Sequence, residues 1–249
     1  MNTTPVVPER WLADADYEQI RPHLPPDLPP IPEIPQRCDG ASLAQVRIGA
    51  SEDPLVELPP FLPQEHLYLR LNSPVMPQKM YARKGMIDRL GAAQQLLPPG
   101  FHLCCLDTWR SMAAQQELIR IYQQAFPANS KNYIAATNNP AILPPHTTGG
   151  AVDVTLSFQR TPLALGTDFD AFLPESHARS LEHIADTDEP EKVVARDLRR
   201  LLSHCLLSVG FAPFDKEWWH YSYGDQRWAA YYSRGVSLYG LATPHETSQ

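Results

Sequence analysis

The sequence has no excess of positive charge and no long apolar run. Its 249 residues include 21 Lys and Arg against 28 Asp and Glu, which gives a formal net charge of −7. This balance disfavours a nucleic-acid-binding protein, because such proteins present a basic surface to phosphates. No run approaches the roughly 18 apolar residues of a membrane span, and the first residues lack the basic and apolar regions of a signal peptide. We therefore expect a globular protein that binds neither nucleic acid nor membrane.

Cysteine is also scarce. Cys38, Cys104, Cys105 and Cys205 are the only four, two of them are adjacent, and none belongs to a C-x-x-C pair. This pattern fits neither a disulfide framework nor a zinc ribbon. A reducing compartment is the simplest setting for it, and we expect a cytoplasmic protein.

Proline, by contrast, is abundant at the start of the chain. Of 26 prolines, 12 lie between Pro5 and Pro60, and internal prolines interrupt helices. We predict that residues 1–60 form an extended arm with polyproline-like pieces, and that residues 61–249 form the main domain. A disordered tail is the alternative. Apolar residues in the segment favour an arm that docks on the main domain: Trp11, Tyr17, Leu28, Ile31 and Ile34.

Helix and strand patterns alternate after the arm. Apolar periodicity predicts helices over residues 80–97, 111–126 and 190–207, and strands over residues 101–106, 151–156 and 218–221. The order lacks a regular strand–helix–strand rhythm, so the α+β class is favoured. We expect one domain, with a small antiparallel sheet and helices packed on one side of it.

One candidate site lies around a glycine pair. His146 and Asp153 are seven residues apart across Gly149 and Gly150, whose flexibility lets the chain fold sharply before the strand. A loop imidazole could then meet a strand carboxylate, and both groups bind Zn²⁺. Taken alone, the pair is a weak signal, and an ordinary loop histidine with a surface aspartate is the favoured alternative.

A second candidate pair is Glu217 and His220, which flank two tryptophans. In a regular strand they would lean to opposite faces, so their convergence requires a bend or bulge. A carboxylate beside a metal can take a proton from bound water. The alternative is a buried aromatic strand whose polar ends are hydrogen-bonded.

Two further polar residues lie at turns. Arg110 follows the strand of residues 101–106, where its guanidinium could stabilise an oxyanion. Its alternative role is a solvated residue behind a helix cap at Asp107 or Thr108. Asp170 ends the segment Gly-Thr-Asp-Phe-Asp, which could bind an ammonium group or could form an ordinary turn.

The order of these segments carries a family resemblance. The motif H-x-x-G-x-A-x-D is followed by G-T-x-F-D, S-H and E-W-W-H, and is preceded by W-R. This series resembles the D-alanyl-D-alanine dipeptidases of the VanX type over residues 65–225. Those zinc peptidases are grouped with the VanY-type carboxypeptidases and share a fold core with hedgehog domains.

The resemblance implies an α+β hedgehog and D,D-peptidase-like fold that binds one zinc ion per chain. It implies that the protein hydrolyses a small peptide substrate, D-Ala-D-Ala or a similar short D-amino-acid dipeptide. It also implies that His146, Asp153 and His220 are the zinc ligands and that Glu217 is the general base. Arg110 would polarise the scissile carbonyl, and Asp170 would bind the amino group of the substrate.

Two other functions stay open. One is a D,D-carboxypeptidase that trims peptidoglycan stem peptides, which a signal peptide would favour. The other is a zinc-stabilised binding module without catalysis, which would need neither Glu217 nor Arg110. The sequence indicates no oligomeric state.

The chain departs from the family pattern in two places. Pro144 stands where the family usually has a serine, two residues before the first ligand, so a hydroxyl that could contact substrate is absent. The proline-rich arm has no counterpart in the shorter family members, and could shield the cleft, extend it or staple the fold. His177, in the Glu-Ser-His segment, is a candidate for orienting a ligand.

Overall fold

The computed structural model describes residues 7–127 and 138–244, and within them the fold is a mixture of helices and strands. The α+β class is confirmed. Over the same residues, no helix is long and apolar enough to cross a membrane. The helices are α1 (Tyr17–Ile20), α2 (Lys84–Gln94), α3 (Met112–Ala125), α4 (Pro190–Ser208) and α5 (Gln226–Tyr231). The strands are β1 (Ala13–Asp14), β2 (Leu55–Glu57), β3 (Tyr81–Arg83), β4 (Phe101–Asp107), β5 (Ala151–Phe158), β6 (Thr161–Ala164), β7 (Ala212–Phe214) and β8 (Glu217–Ser222).

The three predicted long helices are present, with one difference at a start. The helix predicted from residue 80 begins at Lys84, because the residues before it form β3 and pair with β2. Ser111 caps α3 by accepting a hydrogen bond from the backbone N–H of Ala114. The alternative of a cap at Asp107 or Thr108 is therefore wrong.

Strand β5 is the centre of the main sheet. β4 pairs antiparallel along one edge of it. Along the other edge, β8 pairs with the beginning of β5 and β6 with its end. β7 extends the sheet beyond β8, and β1 pairs in parallel with β6. β5 has neighbours on both edges, and all of its residues are buried.

Helices lie on both faces of this sheet. Helix α4 covers the face of Tyr221, which is buried close to Arg199 and Cys205 of that helix, and α2 packs against α4. Helix α3 instead lines the cavity into which Asp153 and His220 of the opposite face point. The prediction that helices pack on one side is thus correct for α2 and α4 and wrong for α3.

The described part of the proline-rich segment packs on the rest of the protein. Trp11 and Ile31 are buried. The Asp168 carboxylate accepts hydrogen bonds from the backbone N–H groups of Trp11 and Leu12, at 2.7 and 2.9 Å. Short helical turns interrupt the extended pieces. The apolar residues of this segment therefore serve as anchors.

All four cysteines are buried and free.

Candidate metal centre

Three metal-ligating atoms meet at one point beside the sheet. His146 Nε2 lies 3.2 Å from His220 Nδ1 and 3.3 Å from Asp153 Oδ1, and His220 Nδ1 lies 3.0 Å from the same oxygen. All three side chains are buried. The residues predicted from two separate motifs thus form one cluster.

Strand register brings two of the three together. Asp153 of β5 is directly opposite His220 of β8, and cross-strand neighbours on one face lie close enough for their side chains to touch. His146 arrives from the helical turn Pro145–Thr148, which ends at Gly149 with a positive φ of 71°. A turn that reverses directly before β5 therefore sets the loop histidine over the strand aspartate.

Any side chain at Gly150 is expected to lower the stability of this turn. A Cβ there would lie 2.4 Å from the carbonyl oxygen of Tyr223, in a backbone segment held by a hydrogen bond between Tyr223 N–H and Gly150 O. We expect Gly150→Ala to lower the free energy of unfolding by about 1–3 kcal/mol, as overpacking does. Urea denaturation measures this change.

Gly235→Ala is the control, because a Cβ there meets nothing within 4 Å. Its unfolding midpoint is expected to stay near that of the unmodified chain. Equal midpoints for the two variants would contradict the assigned crowding at Gly150.

The tautomer of His146 is set by two acceptors behind it. Its Nδ1 lies 2.6 Å from the carbonyl oxygen of Thr108 and 3.1 Å from Asp107 Oδ2. Neither oxygen can donate, so Nδ1 carries the ring proton. Nε2 is left with a lone pair aimed at the cluster, which is the form that binds a metal.

His220 is oriented by a similar relay. Its Nε2 lies 3.5 Å from Ser222 Oγ, and that hydroxyl donates to Asp225 Oδ2 at 2.7 Å. Because the hydroxyl proton is used on Asp225, Ser222 Oγ accepts from Nε2–H. Nδ1 then has its lone pair free for the cluster. Burial lowers the pKa of His220 to about 3, which keeps the ring neutral.

These atoms fit a zinc ion. The two imidazole nitrogens and the carboxylate oxygen face one another with lone pairs and no proton between them. Their separations of 3.0–3.3 Å match the roughly 3.3 Å between neighbouring ligand atoms of a tetrahedral zinc with bonds of about 2.0–2.1 Å. Although burial opposes it, the two histidines hold the pKa of Asp153 well below its usual range, so the carboxylate is charged.

Glu217 reaches the cluster through a bulge. Pro213 of β7 is opposite Tyr221 but Phe214 is opposite Glu217, so the pairing slips between the two. This slip leaves Glu217 Oε2 3.8 Å from His220 Nδ1. Burial raises the pKa of Glu217 well above its usual value, and Asp153 adds to the shift. A metal ion bound at the cluster would lower the pKa of Glu217, because a nearby positive charge favours the carboxylate form.

Arg110 is buried and paired rather than solvated. Its Nε lies 2.7 Å from Asp107 Oδ2, its Nη1 donates to Gln115 Oε1 at 3.0 Å, and its Nη2 lies 3.9 Å from Asp153 Oδ2. Asp107 and neighbouring groups overcome the effect of burial and hold the pKa of Arg110 above its usual value. The guanidinium is therefore a fixed positive charge beside the cluster.

Asp170 lies on the wall nearest α3. Its Oδ2 accepts hydrogen bonds from the hydroxyls of Tyr122, at 2.5 Å, and Tyr68, at 2.9 Å. Burial raises the pKa of Asp170 to about 7, against the lowering effect of these bonds. Among the described residues, Oδ1 has no hydrogen-bond partner, so it is available to a ligand.

A cavity of about 490 Å³ joins these groups. Its lining includes all the predicted site residues: Arg110, His146, Asp153, Asp170, Glu217 and His220. Part of another wall comes from the proline-rich segment, through Asp39, Gly40, Ala41 and Leu43. That segment therefore shapes the cavity as well as packing on the fold.

His177 is outside this lining. Its Nδ1 lies 4.0 Å from Asp215 Oδ2. The groups that lie behind the His220 ring are Ser222 and Asp225. The period of two along a strand could have identified Ser222, which follows His220 on the same face. The Thr108 carbonyl and Tyr68 had no comparable signal in the sequence.

Comparisons with known proteins show a family for this chain. The sequence profile of the Peptidase M15 family, described as D-Ala-D-Ala dipeptidase, matches residues 76–237. The chain is 29% identical over 205 residues to a D-alanyl-D-alanine dipeptidase of Synechocystis sp., across 68% of this chain and 80% of that protein. It is 27% identical over 166 residues to one of Streptomyces coelicolor, across 59% of this chain and 75% of that protein.

Proposed function

Because the chain belongs to the Peptidase M15 family, whose members are zinc metallopeptidases, we propose that it is a zinc-dependent dipeptidase that hydrolyses D-Ala-D-Ala or a similar short D-amino-acid dipeptide. The observation that carries this proposal is the meeting of three ligand atoms with Glu217 and Arg110 at one cavity. The proposal includes one zinc per chain and the hedgehog and D,D-peptidase form of the α+β fold.

In this proposal His146, Asp153 and His220 would hold the zinc, and three protein ligands are the number found in catalytic zinc sites. When bound there, zinc would activate a water molecule and polarise the scissile carbonyl. Glu217, beside His220, accepts a proton from the attacking water and passes it to the leaving amine. The burial that raises the pKa of Glu217 suits a carboxylate that carries a proton between two groups.

Arg110 supplies the fixed positive charge for the developing oxyanion. Its guanidinium needs no reorganisation, because Asp107 and Gln115 already hold it in place. Charges that are set in advance stabilise a transition state more than mobile ones do. We assign Asp107 to positioning Arg110 rather than to contact with substrate.

Asp170 is the proposed partner of the substrate's ammonium group. Its Oδ2 is occupied by Tyr68 and Tyr122, so the ammonium group would bind at Oδ1. A buried ammonium group without such a partner would be strongly unfavourable. Selection of a free amino group distinguishes a dipeptidase from a peptidase of longer chains.

We therefore expect D-Ala-D-Ala to be cleaved at least about 10- to 100-fold more efficiently than its N-acetyl form, the range that one charged hydrogen bond contributes. Asp170→Asn should narrow this gap by slowing cleavage of the free dipeptide most. Steady-state kcat/KM for both substrates is the measurement. Equal rates on free and acylated substrates would instead favour the D,D-carboxypeptidase alternative.

A panel of D,D-, L,D- and L,L-dipeptides, assayed with zinc and with a chelator, tests the proposal as a whole. Cleavage of the D,D-dipeptide with zinc and its loss with chelator are expected. A protein that binds zinc and cleaves none of these peptides would be the non-catalytic binding module. The presence of both Glu217 and Arg110 at the cavity supports the enzyme.

We further propose that residues 1–60 are an arm that completes a peptidase domain of residues 61–249. Two features support this arrangement. The backbone of Trp11 and Leu12 is bound by Asp168, two residues before the proposed ammonium-binding residue. Farther along the arm, Asp39 and Leu43 line the same cavity as the zinc ligands.

A further inference from the structure

One buried arginine differs from the others in its surroundings. Among the described residues, the side chain of Arg227 in α5 forms no hydrogen bond or ion pair, and its Nε is buried without a hydrogen-bond partner. The other buried arginines all contact carbonyl or carboxylate oxygens: Arg83, Arg110, Arg196 and Arg199. A buried cation without a partner is strongly unfavourable, so this one requires an explanation.

Arg227 lies on the wall of the catalytic cavity, one aromatic ring away from the proposed zinc site. Its guanidinium carbon is 3.5 Å from the centre of the Phe214 ring, and the Phe214 ring packs against the His220 ring at 5.7 Å between centres. All three residues line the cavity. The planar face of the guanidinium is therefore held by Phe214, while its donors remain unfilled.

The carboxylates of Asp39, Glu217 and Asp225 act electrostatically on this charge, but among the described residues none forms an ion pair or a hydrogen bond with the guanidinium. Lys216, another cation on the wall, is already paired with Asp39 at 2.7 Å. Pro144 lines the cavity as well and has neither a side-chain donor nor a backbone N–H to offer an anion. Of the arginines and lysines among the described cavity residues, Arg227 is therefore the one whose side-chain donors have no acceptor in the protein.

The charges of the cavity suit a zwitterion. Asp170 supplies a carboxylate on the wall next to α3, and Arg227 supplies a guanidinium on the wall formed by α5 and β7. A free dipeptide has an ammonium group at one end and a carboxylate at the other. Its carboxylate lies one residue beyond the scissile carbonyl, about 3.3–3.6 Å along the chain.

We propose that Arg227 binds the C-terminal carboxylate of the dipeptide and so selects substrates with a free carboxyl end. This inference rests on the proposed function, because it takes the dipeptide as the ligand. A guanidinium binds a carboxylate through two parallel hydrogen bonds. Arg227 would therefore set the position of the scissile bond as well as contribute affinity.

The test compares D-Ala-D-Ala with its C-terminal amide, which lacks the negative charge. Arg227→Met is expected to raise KM for the dipeptide about 10- to 100-fold, as loss of a hydrogen bond between charged groups does. KM for the amide should change little, and kcat should fall less than KM rises. Arg227→Lys, which keeps the charge but not the fork, should be intermediate on the dipeptide.

Arg234→Met is the matched control. Arg234 also stacks on an aromatic ring, that of Trp228 at 4.7 Å, but it is exposed and outside the cavity lining. Its KM for both substrates is expected to stay unchanged. A purely structural Arg227 would lower Tm when replaced, whereas removal of an unpaired buried charge should leave Tm unchanged or raise it.

Equal losses on the dipeptide and the amide, or no loss on the dipeptide, would overturn the inference. Calorimetric titration of D-Ala-D-Ala into the Glu217→Gln protein, with and without Arg227→Met, separates this outcome from failure of the proposed function. If the unmodified protein shows no turnover but binding of the dipeptide depends on Arg227, the role of Arg227 is supported and the proposed dipeptidase activity is wrong. If the protein cleaves the dipeptide with zinc and the Arg227→Met substitution changes neither binding nor KM, the activity is supported and the role of Arg227 is wrong.

Discussion

Replacement of Glu217 by glutamine is expected to lower kcat by about 10²–10⁴-fold, the usual contribution of general acid–base catalysis. Glutamine keeps the size and hydrogen bonding of the side chain but cannot accept and return a proton. Glu217 Oε2 lies 3.8 Å from His220 Nδ1, close to the cluster but outside the triangle of three ligand atoms. The variant should therefore keep one zinc per chain while it loses turnover.

Steady-state kinetics and metal analysis of the same preparation measure the two effects together. Asp215→Asn is a suitable control, because Asp215 is an exposed acid of the same hairpin and does not line the cavity. Its kcat should match that of the unmodified chain. Loss of zinc from Glu217→Gln would make Glu217 a ligand, and retained turnover would assign the proton transfer to another group.

Replacement of His220 by alanine is expected to remove the zinc. The change takes away one of three ligand atoms, leaving His146 Nε2 and Asp153 Oδ1 at 3.3 Å. Loss of a partner that merely orients a ligand lowers metal affinity about 10- to 100-fold, and loss of the ligand itself should exceed that. Hydrolysis of the dipeptide should fall to background, since both the metal and the geometry around Glu217 are lost.

Metal content after dialysis against a weak chelator measures this effect. His183→Ala is the control, because His183 is exposed and lies outside the cluster. That protein should keep its zinc. Ser222→Ala should give an intermediate loss of affinity, because it removes only the contact behind His220 Nε2. Full occupancy in His220→Ala would show that the site lies elsewhere.

Local patterns in the sequence were sufficient for most of the helices and strands. Apolar periodicity predicted α3 and α4 to within a few residues of their ends. In an amphipathic helix the apolar side chains recur along one buried face, and this pattern is visible in the local sequence. The same periodicity placed the start of α2 four residues too early. Residues 81–83 pair with β2, and a pairing partner distant in the sequence leaves no trace in a local helical pattern.

From the sequence by itself, local patterns predicted two separate pairs, and the family resemblance joined His146, Asp153 and His220 into one set of ligands. The glycine pair before β5 predicted that His146 turns back over Asp153, because few other residues permit that turn. The need for a bulge between Glu217 and His220 followed from the period of two in a strand. Each of these inferences spans only a few residues of chain.

Only the tertiary structure decided which groups surround the cluster. Tyr68 reaches Asp170 across 102 residues of sequence, and the arm contributes Asp39 to the cavity wall. The Arg227 side chain has no hydrogen-bond acceptor among the described residues, and this lack results from the tertiary structure as a whole. Burial and pairing act through space rather than along the chain, and for that reason charge and selectivity at this site are properties of the folded protein.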